Sequence, residues 1–288
     1  MKLQIIAHPA MILFYLFSFT VANAQVINPP PQQGAYKRSS TGNRAPIMYT
    51  SIREADVMWS KKVWRRIDLR QKMNYPYYYP VDPIADRKSL FEVISVGLFT
   101  NGTLTAYDPG PLGDNDQFDI ALSTKEAKNK IESYDSVEVY LIEEDETIMV
   151  PDTTIITSAD VIMYEIKEEW FFDKQRSVMD VRIIGICPMV EKKDEETGEV
   201  RGLMPLFWIY FPALRLELSQ YKAFNRQNGV RLTYEDMFQK RMFSSYIIKE
   251  DNVYDRFINE YTAGIDALLE AEKIKNEIFF YEHDLWHY

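Results

Sequence analysis

The sequence predicts an α+β protein: a mixed, mainly antiparallel sheet with N-terminal and C-terminal helices, preceded by a flexible Pro-rich arm. Three observations carry that reading. Alternating or doubly apolar runs rich in β-branched and aromatic residues crowd the stretch from Ser136 to Phe211, as strands require. Helical periodicity and helix-start signals sit on either side of it. The composition, 46% hydrophobic and 26% charged with 11 glycines in 288 residues, is that of a folded, well-packed chain.

Residues 1–24 read as a signal peptide. Lys2 supplies the positive start, Met11 to Val21 the apolar centre, and Ala22-Asn23-Ala24 the small-x-small cleavage site. Residues 25–46 read as an extended arm, because Asn28-Pro-Pro-Pro-Gln-Gln-Gly34 and Ser39-Ser-Thr-Gly-Asn-Arg-Ala-Pro46 hold little to bury. Residues 47–288 then read as a single domain. One Lys and no acid fall before residue 25, so 32 bases face 43 acids beyond it, a net charge of −11. An acidic chain is a poor partner for nucleic acid.

From Glu54 the pattern reads as the first helix, ending before Pro76, with Val57, Val63, Trp64 and Ile67 at helical spacing. Tyr75 to Pro80 is then extended, since Pro76 disfavours helix in the residue before it. Ala85 to Gly102 is a second helix, with an alternative hairpin turning on Asn101-Gly102; Thr103–Tyr107 is a short strand. Ser123-Thr-Lys-Glu126 is a capping box that opens a helix to about Ser133. Ser136–Ile142 and Ile162–Phe172 alternate as strands, and Val178–Lys193 and Val200–Phe211 form a hairpin turning on Asp194 to Gly198. Within the last run Leu206 to Phe211 is apolar on both faces, as in a central strand. Pro212 starts a helix, Thr233-Tyr-Glu-Asp236 caps another, and Asp251–Tyr261 and Ala263–Trp286 complete a helical C-terminus.

Residues suited to catalysis are sparse. His283 and His287 share metal-ligand spacing but have no third ligand motif beside them. Cys187 lies inside an apolar strand, where a thiol is inert. The acidic runs Glu143–Glu146 and Asp194–Glu196 read as solvated turns. No phosphate-cradling or nucleophile-elbow motif and no cofactor motif occurs, so the chain reads as non-enzymatic. Attention falls instead on Trp59, Trp64, Arg65, Arg66, Arg70, Tyr77 and Tyr78. Trp, Tyr and Arg dominate buried contact energy at protein interfaces, so these seven are the candidate partner-binding residues.

The stretch Val63-Trp-Arg-Arg-Ile-Asp-Leu-Arg70 with Asn74, Tyr75 and Pro76 resembles the opening signature of the GldN/PorN family. Further matches follow in order: Ile166 to Asp173, Arg182 to Pro188, Leu206 to Pro212, Arg241 to Glu250 and Tyr281 to Trp286. The resemblance implies a periplasmic subunit of the type IX secretion and gliding machinery of Bacteroidetes, with no catalytic residues. It implies assembly with an outer-membrane lipoprotein, GldK/PorK, into a ring, and contact with the motor proteins GldL/PorL and GldM/PorM. A periplasmic module binding cell-wall glycan or peptide is the competing expectation, and it requires a concave aromatic-lined pocket.

Overall fold

A seven-stranded antiparallel sheet forms the body, built of β1 (Val57–Asp68), β2 (Ala106–Tyr107), β5 (Val161–Asp173), β6 (Val178–Lys193), β7 (Val200–Pro205), β8 (Trp208–Tyr210) and β9 (Tyr246–Glu250) in the order β2-β8-β6-β5-β1-β9, with β7 paired to β6. The computed structural model describes residues 44–84, 87–111, 113–141, 146–193, 200–224 and 232–285. The expected signal peptide and all of the expected arm but residues 44–46 lie outside these. Residues 40–288 make one compact unit.

The expected helix from Glu54 is instead a twelve-residue strand, β1, Val57–Asp68. Its apolar positions satisfy either period. Read at period two, Trp59, Val63, Arg65 and Ile67 share one face, and Trp64 and Arg66 the other. Both faces of β1 are covered around its centre, so Arg65 and Arg66 pair with buried acids, and a charge in this run is no guide to which side meets water. The strand lies between β5, Val161–Asp173, and β9, Tyr246–Glu250, antiparallel to both. Tyr75–Tyr78 is also a correction: it is one helical turn, α1, not extended chain. Pro76 sits in its first turn, where the fixed proline φ suits a helix start.

The second helix is shorter than expected. Ser89 caps α2, Leu90–Ser95, its hydroxyl accepting from the Glu92 amide, and a π-turn over Val96–Thr100 carries it to the stop at Asn101-Gly102. Only Ala106–Tyr107 (β2) of the next expected strand pairs. The Ser123/Glu126 capping box forms in full and opens α3, Thr124–Ile131. The strand expected from Ser136 is β3, Glu132–Leu141, paired with an unforeseen β4, Glu146–Ile155, in a separate ribbon.

The two expected hairpin strands pair as β6, Val178–Lys193, and β7, Val200–Pro205, while the turn expected over Asp194 to Gly198 lies outside the described residues. The central strand expected over Leu206–Phe211 shrinks to β8, Trp208–Tyr210, because α4, Phe211–Gln220, begins at once with Pro212 in its first turn. Leu206, Phe207, Trp208 and Ile209 are nonetheless all buried. Thr233 and Asp236 complete a capping box for α5, Tyr234–Gln239. Asp251–Tyr261 is helical only at α6, Ile258–Tyr261. Before it the Asn252 side chain accepts from the amides of Tyr254 and Arg256 and holds a turn, the backbone competition that keeps Asn out of helices. The final helix, α7, runs Ile265–Asp284.

One face of the sheet carries two apolar clusters. Ile67, Tyr164, Ile166 and Ile186 pack under α2, α4 and α5. Val63 and Ile247 pack under Ala271, Ile274 and Ile278 of α7, with Trp59 and Trp170 at the margin. The opposite face gathers Trp64, Cys187, Trp208 and Ile248. There the ring of Phe118 lies against the backbone of Gly185; a Cβ at that position would stand 2.5 Å from its Cζ.

Candidate assembly surfaces

The seven candidate partner-binding residues are placed by β1 and the turn after it, and most are engaged within the fold. Trp64 is 5% exposed. Its indole N–H donates to Asp116, while Lys167 and Lys249 lie over its ring at 5.4 and 4.7 Å. Lys167 in turn pairs with Asp116 at 3.2 Å. Arg65 faces the other side, where its Nε lies 3.1 Å from a fully buried Glu168 that also pairs with Arg241. Burial pulls the Arg65 guanidinium below its ordinary pKa, with Glu168 opposing. Arg66 pairs with Glu165, whose carboxyl is pushed up by burial more than Arg66 draws it down.

Tyr77 is buried against Tyr234 and Phe238, and Tyr78 packs partly beside Tyr79. Trp59 stacks on Tyr281 of α7. Arg70 is the exception: its side chain is 65% exposed and pairs with Glu191. The stretch from Trp59 to Tyr78 therefore knits both sheet faces to their coverings. A period-two reading of β1 would have shown it, because Trp64 and Arg65 then fall on opposite faces.

Open contact area lies elsewhere. Ile265, Leu268, Leu269, Phe279 and Phe280 of α7 are 58–75% exposed. Their spacing puts them on one side of the helix, directly opposite Ala271, Ile274 and Ile278. The outer side is apolar at both ends, with exposed Glu272 and Asn276 between them, and only the inner side packs on the domain. Six acids against two lysines make the helix strongly acidic around that outer side. The sequence showed this as a helix carrying more apolar positions than one face can use.

A second surface is a cleft of about 360 Å³ beside residues 44–50. The segment is held by paired hydrogen bonds from Arg44 to Asp236 and by three of its carbonyls, which accept from Ser219, Arg215 and Arg182. Tyr49 lies between the guanidinium groups of Arg215 and Arg182, 3.9 and 4.9 Å from its ring, and burial raises its hydroxyl pKa. The last residues of the expected arm are thus seated against α4 and α5. Tyr49 is the one aromatic lining this cleft, which is not the aromatic-walled pocket that glycan binding requires.

Cys187 is wholly buried, and burial drives its thiol pKa far above the ordinary value. Among the described residues no three His, Cys, Asp or Glu side chains converge as metal ligands, and no helix is long and apolar enough to cross a membrane.

A final helix with open apolar side chains, a clamped N-terminal segment and buried charge pairs that brace the sheet mark this α+β protein. The chain belongs to the GldN family: the family model described as gliding motility associated protein GldN matches residues 52–287. It is thus a gliding-motility-associated protein of a family whose members are structural components rather than known enzymes. None of the curated proteins matches it.

Proposed function

We propose that the chain is a non-enzymatic structural subunit of the type IX secretion and gliding machinery, acting in the periplasm. It assembles with an outer-membrane lipoprotein of the GldK/PorK kind into a ring that meets the GldL/PorL and GldM/PorM motor proteins. One observation carries the reading: the outer stripe of α7, five large apolar side chains left open on a helix whose other face is buried in the domain. A helix presenting such a stripe is built to lie in a partner's groove. The acidic surround calls for a partner with a basic rim, because opposite potentials steer and orient docking.

The test is recovery of the lipoprotein from membranes with a tagged chain. The unaltered chain is expected to bring it down. Leu269→Asp with Phe280→Asp is expected to leave the domain folded, since neither side chain is in the core, and to reduce recovery at least tenfold. Unchanged recovery by that folded variant would remove α7 as the docking face.

A further inference from the structure

Residues 44–50 lie in the groove between α4, α5 and β6, and their contacts show what the groove accepts. Arg44 meets Asp236 through two hydrogen bonds of 2.8 Å each. Five residues on, Tyr49 enters between two guanidinium groups. Between and beyond these anchors the carbonyls of Arg44, Ile47 and Thr50 are read by Ser219, Arg215 and Arg182. Side-chain pockets at intervals combined with main-chain hydrogen bonds are how proteins recognise extended segments.

Three features show that the segment is not a fixed part of the core. Ile47 and Met48 are 85% and 89% exposed, so it adds almost nothing apolar to the interior. The groove is incompletely used: open volume remains beside the segment, and Arg182 Nε and Glu235 Oε2, both in its lining, have no hydrogen-bond partner among the described residues. The join to the domain is a short tether. Ser51–Arg53 has no regular structure, and the first main-chain tie to the sheet is the Asp56 carbonyl accepting from the Lys174 amide.

Among the described residues, these contacts to the groove all come from seven consecutive positions, 44–50. The same set therefore forms whichever copy of the chain supplies them, the condition that makes segment exchange a low-cost route to assembly. Arm and groove are different surfaces of one chain, so an arm passed to the next copy leaves a free groove behind and a free arm ahead. Such heterologous contacts propagate and close as rings. Resting on the assembly reading above, we propose that residues 44–50 of one copy dock in this groove of the neighbouring copy and link subunits head to tail.

Met48→Cys with Gln239→Cys places two thiols on the same cleft, while Cys187 stays buried. Bis-maleimide cross-linking of this variant, in membranes of cells that also make the lipoprotein, separates the cases on a denaturing gel. Exchange predicts covalent dimers and higher ladders. A cross-linked monomer alone would overturn it, and so would no cross-link, because the groove would then be unfilled.

Adding Arg44→Asp to the cysteine pair should cut the ladders at least tenfold, as should Asp236→Arg. Mixing those two chains should restore the ladders, since each groove then finds a complementary arm only in the other copy; failure of the mixture would also count against exchange. Ladders from a purified chain that recovers no lipoprotein would keep the exchange and sink the lipoprotein reading. Lipoprotein recovery with only monomeric product would do the reverse.

Discussion

Trp59 and Tyr281 stack ring on ring, centroids 4.6 Å apart and planes 20° from parallel, joining the start of β1 to the last turn of α7. More than two hundred residues of chain separate them. The contact holds the C-terminal half of α7 in place, together with Ile278, and so sets the direction of its open stripe.

Trp59→Ala should therefore free the end of α7 without unfolding the sheet. Loss of the stacked pair, beyond its area, is expected to cost about 0.5–1.5 kcal/mol. Hydrogen exchange should show the change confined to residues near 278–284, and lipoprotein recovery should fall in parallel. Uniform loss of protection over the whole chain would show that Trp59 braces the sheet instead.

Glu168 is the sole acid between Arg65 and Arg241 in the described contacts, and its side chain is wholly buried. Glu168→Gln would leave two cations facing each other in the interior. A loss of about 3–5 kcal/mol is expected, as when one partner of a buried pair is removed. Denaturant unfolding measures it. Arg65→Glu should be equally damaging by placing two acids together, so a failure of that variant to bind a partner would report misfolding, not docking.

At Gly185 any Cβ meets the Phe118 ring, which is hemmed in by Tyr107, Trp208 and Tyr210. Gly185→Ala should destabilise by about 1–3 kcal/mol through overpacking. Phe118→Leu added to it should recover part of that loss, a non-additivity expected of residues in contact. Strictly additive thermal shifts would contradict the contact.

Cys187 offers a chemical readout of the same interior. Burial, reinforced by the nearby charge of Glu165, keeps the thiol protonated well beyond neutral pH. Iodoacetamide at pH 8 should leave the native chain unmodified and alkylate it fully in denaturant. Rapid native labelling would mean that the sheet face bearing Trp64 and Trp208 opens readily.

The seating of residues 44–50 should depend on pH through Asp236. Burial pushes its carboxyl up, but hydrogen bonds from Thr233 and the Arg44 guanidinium outweigh that and hold it below the ordinary range. A carboxyl whose folded pKa is depressed contributes stability that is present above its unfolded pKa. That stability fades as pH falls through the depressed value. Protease protection of residues 44–50 should thus be constant near neutrality and drop only in strong acid. Asp236→Asn should be weakly protected throughout and lose that acid step.

Local signals were legible in the sequence wherever neighbouring residues decide the outcome. The capping boxes at Ser123 and Thr233, the proline start at Pro212 and the pairing of β6 with β7 depend on contacts within a few residues, and they formed as read. The family could also be read there, because an ordered series of motifs survives without knowledge of their packing. Tertiary structure alone decided that Val57–Asp68 is a strand. Its apolar residues fit two periods, and only a sheet covered on both faces gives Trp64 and Arg65 separate interiors to enter. The same pairing of distant elements buried Trp64, Arg65 and Tyr77 of the expected docking cluster inside the fold and left Arg70 exposed. It left open apolar surface on α7, because only the side of that helix bearing Ala271, Ile274 and Ile278 meets the sheet.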